Sequence, residues 1–197
     1  MGIPREIVVP GAGVLLGGGL LLAAALRYPG GFGWGEHTVS MLAAPRTAAG
    51  LENTARPFAV AGVLCLTSGM ALLFHGIARS AGAVWHRKAV QIGGIGAMVY
   101  ASLLVTPMHD LMVTLSLAFF AVLLAGVLHM LWVERRGRLL ALGLVSLILK
   151  GGTAMLYYAD VGVELIPAWQ KISMLFTVAW LFAVRARGRL PGERPSF

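Results

Sequence analysis

The stretch HDLMVTLSLAFFAVLLAGVLHMLWV, residues 109–133, carries no charged side chain after Asp110. An α-helix rises about 1.5 Å per residue, so about 20 apolar residues are enough to cross a hydrocarbon core of about 30 Å. The stretch exceeds that length. It therefore predicts a membrane-spanning helix and decides the class of the whole chain.

Five further apolar runs of similar length lie along the chain. All six runs cover approximately residues 7–28, 56–78, 88–106, 109–133, 139–158 and 167–184. Hydrophobic residues make up 58% of the 197 residues and charged residues 12%, whereas about a quarter of the residues in a soluble domain are charged. The mean hydropathy of +0.81 agrees. We predict an all-α membrane protein, a bundle of six transmembrane helices that forms a single domain over residues 1–197.

The basic residues indicate which ends of the helices face the cytoplasm. Most of them lie at the N-terminus, after the second and fourth runs, or at the C-terminus: Arg5, Arg79, Arg87, Lys88, Arg135, Arg136, Arg138, Arg185, Arg187, Arg189 and Arg194. With six spans these four regions share one side, which the positive-inside rule assigns to the cytoplasm. We therefore predict that both termini are cytoplasmic. The net charge of +8 follows from topology and from attraction to anionic lipid, so the expected partner is the bilayer and not a nucleic acid.

The acidic residues are distributed in the opposite sense. Five of the eight lie near the outer ends of the predicted helices: Glu36, Glu52, Asp110, Asp160 and Glu164. His37 and His109 are adjacent to two of them. Asp110 and Asp160 have apolar neighbours in sequence, and burial in apolar surroundings favours the protonated form of a carboxylic acid. Asp110, Asp160 and Glu36 are therefore the candidate general acids, and His37 and His109 complete the candidate catalytic set.

Two lysines lie within the apolar runs. Lys150 is near the middle of the fifth run, and Lys171 is about one turn inside the sixth, after Pro167. Charges at such depth usually mark an ion pair or a functional pathway. We expect Lys150 to pair with Asp110 or Asp160, and Lys171 either to reach the headgroups or to orient a carboxylate.

The segment PGGFGWGEHTVSM, residues 29–41, follows the first run. Pro29 and the glycines stop the helix from continuing and permit tight turns. We expect residues 29–55 to form an outer loop or lid that brings Glu36 and His37 towards the other acids. Aromatic residues near the same boundary are candidates for binding an apolar substrate or stabilising a cation, although a belt of interfacial aromatic residues is the alternative: Phe32, Trp34, Tyr157, Tyr158 and Trp169.

Motifs for metals and cofactors are missing from the sequence. It contains no HExxH, CxxC or aspartate-rich DDxxD motif, so we predict neither a metal site nor a cofactor. Gly13 and Gly17 form a small-xxx-small pair, and a second glycine group, Gly93, Gly94 and Gly96, lies in the third run. Such glycines allow helices to approach closely.

Four segments carry a resemblance to a known group. They are HTVSMLAAPR, ENTARPFAVAG, TPMHD and ELIPAWQKISMLFTVAW, and together they resemble the small six-helix bacterial membrane proteins related to the Frag/DRAM group. The resemblance implies a multi-pass protein of the bacterial inner membrane and no particular reaction. It also implies that the recurrent polar positions of the group are His37, Ser40, Asn53, His109, Asp110, Gln170 and Lys171.

The chain is also similar, in size and in its acids near the membrane boundary, to small integral-membrane terpene cyclases. This second resemblance implies cyclisation of an isoprenoid after protonation. Asp110 or Asp160 would be the general acid and Glu36 or His37 the proton acceptor. The aromatic residues would surround the carbocation, and Lys150 and Lys171 would orient the carboxylates.

Two alternatives stay open at this point. A lipid acyl hydrolase or transferase would use Ser40 with His37, His109 and Asp110. A non-enzymatic protein would bind a lipid or a partner helix at its outer end. The sequence does not specify the substrate or the oligomeric state.

Overall fold

The computed structural model describes residues 5–160 and 162–188. Its six long helices are α1 (Arg5–Leu26), α2 (Arg56–Ser80), α3 (Val84–Ser102), α4 (His109–Val133), α5 (Gly137–Ala159) and α6 (Ile166–Ala186). Short 3₁₀ helices cover Val39–Ala43, Leu103–Val105 and Val163–Leu165. Each long helix is long and apolar enough to cross a membrane, and these two described segments contain no β-strand. The predicted number of long apolar helices and the all-α class are confirmed for this part of the chain.

The helix boundaries differ from the prediction mainly at α3. It begins at Val84, four residues before the predicted run, because its first turn contains polar and basic residues that hydropathy does not detect. Pro167 lies in the first turn of α6, where its missing N–H costs nothing. The chain termini, with Arg189 and Arg194, lie outside the described residues.

Successive helices pack side by side, and α6 returns to contact α2 and α1. Because the connections between them are short, the basic segments meet at one end of the bundle, which we call the basic end. There Arg185 of α6, only 2% exposed, forms an ion pair with Glu6 of α1. Arg136 also donates a hydrogen bond to the carbonyl of Arg187. The opposite end, formed by residues 27–55, 103–108, 160 and 162–165, is called the loop end.

A close helix contact joins α1 and α2 through glycines. A Cβ atom added to Gly17 would lie 2.6 Å from the backbone nitrogen of Leu66 and 2.7 Å from the carbonyl oxygen of Gly62. A Cβ atom at Gly13 would lie 2.9 Å from the Cα of Gly69. The two backbones therefore touch, as the small-xxx-small spacing predicts.

The glycines of α3 also allow close approach of neighbouring helices, on two faces of α3. A Cβ atom at Gly93 would lie 2.5 Å from the backbone nitrogen of Leu123 in α4, and one at Gly94 would lie 2.6 Å from the ring of Phe74 in α2. Phe74 is fully buried. The sequence prediction of close packing at these positions is confirmed, and α3 is held tightly between α2 and α4.

We predict that Gly17→Ala destabilises the protein and that Gly18→Ala does not. The added methyl group at Gly17 meets backbone atoms that cannot move independently, and overpacking of this kind costs about 1–3 kcal/mol. Gly18 is the matched control because it has the same helical conformation but no neighbouring atom within 4 Å of an added Cβ. The measurement is the thermal midpoint of the detergent-solubilised protein. Equal midpoints for the two variants would contradict the contact between α1 and α2.

Candidate functional site

Residues 29–55, the lid, lie across the loop end of the bundle. Its first part is built around a cluster of rings. Phe32 packs edge-on against Tyr28 and Trp34, with ring centroids 5.6 and 5.1 Å apart, and the ring of His37 lies 5.4 Å from that of Phe32. Tyr28 is buried while Trp34 is 52% exposed. The aromatic residues predicted for this loop thus pack on one another.

Lys171 anchors this part of the lid to α6. Its Nζ donates hydrogen bonds to the carbonyl oxygens of Trp34 at 2.8 Å, His37 at 2.7 Å and Pro167 at 2.9 Å. The Nζ also lies 5.6 Å from the ring centroid of Phe32. An ammonium group has three N–H donors, so these carbonyls occupy its full capacity. The prediction that Lys171 orients a carboxylate is therefore wrong, since it binds loop backbone instead.

Two amides attach the second part of the lid. The side-chain oxygen of Gln170, one residue before Lys171, accepts a hydrogen bond from the backbone N–H of Val39 at 3.1 Å. Asn53 is buried and donates to the carbonyls of Leu42 and Ala44, both at 2.9 Å. The 3₁₀ helix Val39–Ala43 is therefore held between α6 and the beginning of α2.

An apolar cavity of about 110 Å³ lies directly beneath this 3₁₀ helix. We call it the loop-end cavity. Its lining residues come from the lid, α1, α2, the end of α3 and α6: Leu21, Val39, Ser40, Ala43, Val63, Leu66, Thr67, Ala101, Leu104, Val105, Gln170 and Met174. The lining is almost entirely apolar, and the only polar side chains in it are Ser40, Thr67 and Gln170. Thr67 directs its hydroxyl to the carbonyl of Val63 in its own helix.

None of the predicted acids lines the loop-end cavity. The side chain of Asp110 is 86% exposed, and it accepts hydrogen bonds from the hydroxyl of Tyr157 at 2.7 Å and from Nδ1 of His109 at 3.1 Å. These three residues form a separate polar group where α4 begins and α5 ends. Asp110 lacks the apolar enclosure that was expected to keep it protonated.

The other two acids are also exposed, and no hydrogen bond found in residues 5–160 and 162–188 joins either of them to Asp110. Asp160 has a left-handed backbone with φ of 53° and forms the C-cap of α5. Glu36 lies within the lid, and a Cβ atom at Gly33 would come 2.9 Å from its Oε2 atom. The described residues therefore show these three acids exposed, and the expected gathering of Asp110, Asp160 and Glu36 in one chamber stays a prediction.

The remaining aromatic candidates lie around α5. Trp169 donates its indole N–H to the carbonyl of Leu149 at 2.8 Å and so joins α6 to α5. The hydroxyl of Tyr158 is 2.8 Å from that of Thr114. Tyr157 likewise bonds Asp110 of α4. All three aromatic residues therefore join neighbouring helices, and none of them lines the loop-end cavity.

Lys150 does not form the predicted ion pair. The salt bridges found in residues 5–160 and 162–188 do not include it. Its Nζ lies 5.7 Å from the ring centroid of Phe120 in α4. Asp110 lies in the first turn of α4 and Asp160 caps the end of α5, whereas Lys150 is near the middle of α5, and this difference in position along the helices separates them.

The proposed hydrolytic set is not assembled either. The hydroxyl of Ser40 lies 3.0 Å from that of Thr38, and Nδ1 of His37 accepts a hydrogen bond from the backbone N–H of Gly33 at 3.0 Å. His109 and Asp110 bond to each other at the start of α4. No described hydrogen bond joins Ser40 to either histidine, so the nucleophile has no adjacent base.

The apolar lining of the cavity was missed by sequence reasoning. Leu21, Leu66, Ala101 and Met174 resemble every other apolar residue of their helices, so the sequence carries no signal for them. Gln170 did have a recognisable sequence signal, because a side-chain amide in an apolar helix requires a hydrogen-bond partner. Of the seven positions implied by the Frag/DRAM resemblance, five lie in or beneath the lid: His37, Ser40, Asn53, Gln170 and Lys171.

No protein-family model, no curated protein and no solved structure matches this chain. The class of protein is therefore inferred from the fold and the site alone. The chain has six helices long and apolar enough to cross a membrane, which indicates a multi-pass membrane protein. One end of the helical bundle contains a small apolar cavity beneath a loop that is anchored by hydrogen bonds.

We predict that Lys171→Met releases the lid. The variant removes the hydrogen bonds to Trp34 and His37 while keeping an unbranched apolar side chain of similar length. Hydrogen bonds to charged groups contribute about 1.5–3 kcal/mol each, so amide hydrogen exchange in residues 29–44 should accelerate at least about tenfold. Exchange in α2 should change little. Lys88→Met, at an exposed position of α3, is the control, and unchanged exchange in the lid of Lys171→Met would refute the anchoring role.

Proposed function

We propose that this protein binds the apolar chain of a membrane lipid in the loop-end cavity, with the lid covering the bound chain. The observation that carries the proposal is the apolar cavity itself, which lies between helices and beneath a 3₁₀ helix that Gln170 and Asn53 hold in place. The ligand class is an acyl or prenyl chain. Binding sites for small apolar molecules typically combine such a lining with few polar groups.

The depth of the loop-end cavity supports binding of a lipid chain that enters from the membrane boundary. Gln170 lies four residues after the start of α6 and Met174 eight residues after it, about 6 and 12 Å along the helix axis. Thr67 lies eleven residues into α2, about 16 Å from its start. The cavity thus extends from the predicted headgroup level into the hydrocarbon region, which is the path of a lipid chain.

The size of the cavity favours a single chain segment. Its volume of about 110 Å³ is comparable to that of an engineered protein cavity of about 150 Å³ that holds one benzene molecule. A folded isoprenoid needs more room than this. Ser40 and Gln170 are the polar groups at the lid side of the cavity, and they suit the first polar atoms of a lipid, such as an ester or a hydroxyl group.

The geometry gives less support to the two enzymatic hypotheses. Cyclisation by protonation requires a carboxylic acid beside the substrate, and the carboxylates lie outside the cavity. Hydrolysis requires a base within hydrogen-bond distance of Ser40, and both histidines have other partners. Lipid binding requires neither arrangement.

With both termini placed in the cytoplasm by the positive-inside rule, the cavity lies in the outer leaflet.

The experiment is photo-crosslinking in phospholipid vesicles that contain the full-length protein. Two probes carry a diazirine group at the middle of the chain, one a phospholipid and the other a prenol. Mass spectrometry should locate adducts on cavity residues such as Leu66 and Met174. We predict that Met174→Trp, which fills the cavity, lowers the yield of these adducts at least about fivefold, because a chain excluded from an apolar site loses about 0.8 kcal/mol per buried CH₂.

The matched control is Leu175→Trp. Leu175 is adjacent to Met174, is 73% exposed and lies on the outer surface of α6, so its replacement adds the same side chain without entering the cavity. Adducts confined to Leu175 and other exposed positions in the unaltered protein would contradict the proposal. A cyclised product from the prenol, lost in Asp110→Asn, would replace lipid binding with the enzymatic hypothesis.

A further inference from the structure

A second apolar depression lies on the outer surface of the bundle, between α4 and α5. Its volume is about 280 Å³, and we call it the α4–α5 groove. Leu117 and Leu124 of α4 and Leu147 of α5 contribute large side chains to it. It is separate from the loop-end cavity, with which it shares no lining residue.

Lys150 lines the α4–α5 groove and has no anionic partner. The ion pairs formed within residues 5–160 and 162–188 involve other side chains, and the Nζ atom of Lys150 faces the ring of Phe120 at 5.7 Å from its centroid. The groove otherwise consists of apolar residues. A cation in such surroundings is costly and requires a partner.

The depth of Lys150 prevents it from reaching the membrane boundary. It lies nine residues before Ala159, where α5 ends, and thirteen after Gly137, where α5 begins. These separations correspond to about 14 and about 20 Å along the axis. Both distances exceed the length of a lysine side chain, so snorkelling to the headgroups cannot satisfy the ammonium group.

The groove also permits another helix to approach closely. Ala121 and Ala125 are one turn apart on α4, and Gly151 and Ala154 lie opposite them on α5. An added Cβ at Gly151 would meet no atom within 4 Å, which leaves the α5 backbone accessible at that point. Small residues of this kind let a second backbone come near, where van der Waals packing is strongest.

We propose that the α4–α5 groove binds a transmembrane helix of a partner protein that carries a single aspartate or glutamate near mid-membrane. The charge of Lys150 selects the carboxylate, and the small residues accommodate the helix. A second copy of this chain does not supply that group, because the acidic residues within the described parts of the six long helices, Glu6 and Asp110, lie in first turns. A fatty acid does not supply it either, since its carboxylate stays at the headgroup level while a helix fixes its side chains at a given depth.

The test uses a synthetic apolar helix of leucine and alanine, about 23 residues long, with one glutamate at its centre. Energy transfer between this labelled peptide and the labelled full-length protein in phospholipid vesicles measures association. We expect the peptide to bind about tenfold more tightly than the same peptide with glutamine. Lys150→Met should abolish the difference between the two peptides.

A second variant tests the groove while Lys150 is kept. Ala125→Phe fills the groove and should weaken binding of the glutamate peptide several-fold, whereas Val122→Phe should not. Val122 is 48% exposed on α4 and does not line the groove, so it is the matched control. The thermal midpoint of each variant is measured as well, to establish that the variant is folded.

Four results would overturn the proposal. They are equal binding of the glutamate and glutamine peptides, no effect of Lys150→Met, displacement of the peptide by oleate, and self-association of the protein that depends on Lys150 without any peptide. The first two remove the carboxylate partner. The third assigns the groove to a fatty acid and the fourth to a second copy of this chain. Photo-crosslinking in the loop-end cavity is independent of all four.

Discussion

The hydrogen bonds of Lys171 to three backbone carbonyls are the interaction on which the loop end depends. An ammonium group near the membrane boundary is expensive to bury unless every donor is satisfied. The carbonyls of Trp34, His37 and Pro167 provide that satisfaction, and in doing so they fix a loop that contains four glycines between residues 29 and 36. The aromatic cluster is fixed by this anchoring, and the 3₁₀ helix above the cavity, which begins two residues after His37, is held beside it by Gln170 and Asn53. A glycine-rich loop without it would have no fixed course over the bundle.

This arrangement changes the interpretation of the polar residues near the boundary. Lys171, Gln170 and Asn53 bind backbone, so they shape the site and do not perform chemistry. The carboxylates, in contrast, remain exposed at the ends of α4 and α5 and within the lid. The apolar cavity and the acids therefore lie in different places, and lipid binding needs only the cavity. The similarity to the Frag/DRAM group stays a prediction, although five of its seven recurrent positions lie together at the lid.

The two lysines show why depth decides what a charged residue does in a membrane helix. Lys171 lies one turn from the boundary, where a loop can return to it, and its charge is satisfied within the chain. Lys150 is near the middle of α5, where no loop can reach and where the described acids of the chain are absent. Snorkelling, an internal ion pair and an external partner were all consistent with the sequence. Only the positions of the neighbouring helices distinguish among these three solutions.

The sequence by itself determined the all-α class, the six long apolar helices and the tight glycine contacts. Length, hydropathy and small-residue spacing are local properties, and they remain the same however the helices are arranged. The tertiary structure alone decided which polar residues meet. Asp110, Asp160 and Glu36 are attached to different elements and are exposed, because nearness to one end of the bundle does not by itself bring side chains together. The cavity between α1, α2, α3 and α6 is likewise a property of helix packing, since its leucines and methionine are indistinguishable in sequence from those that face lipid.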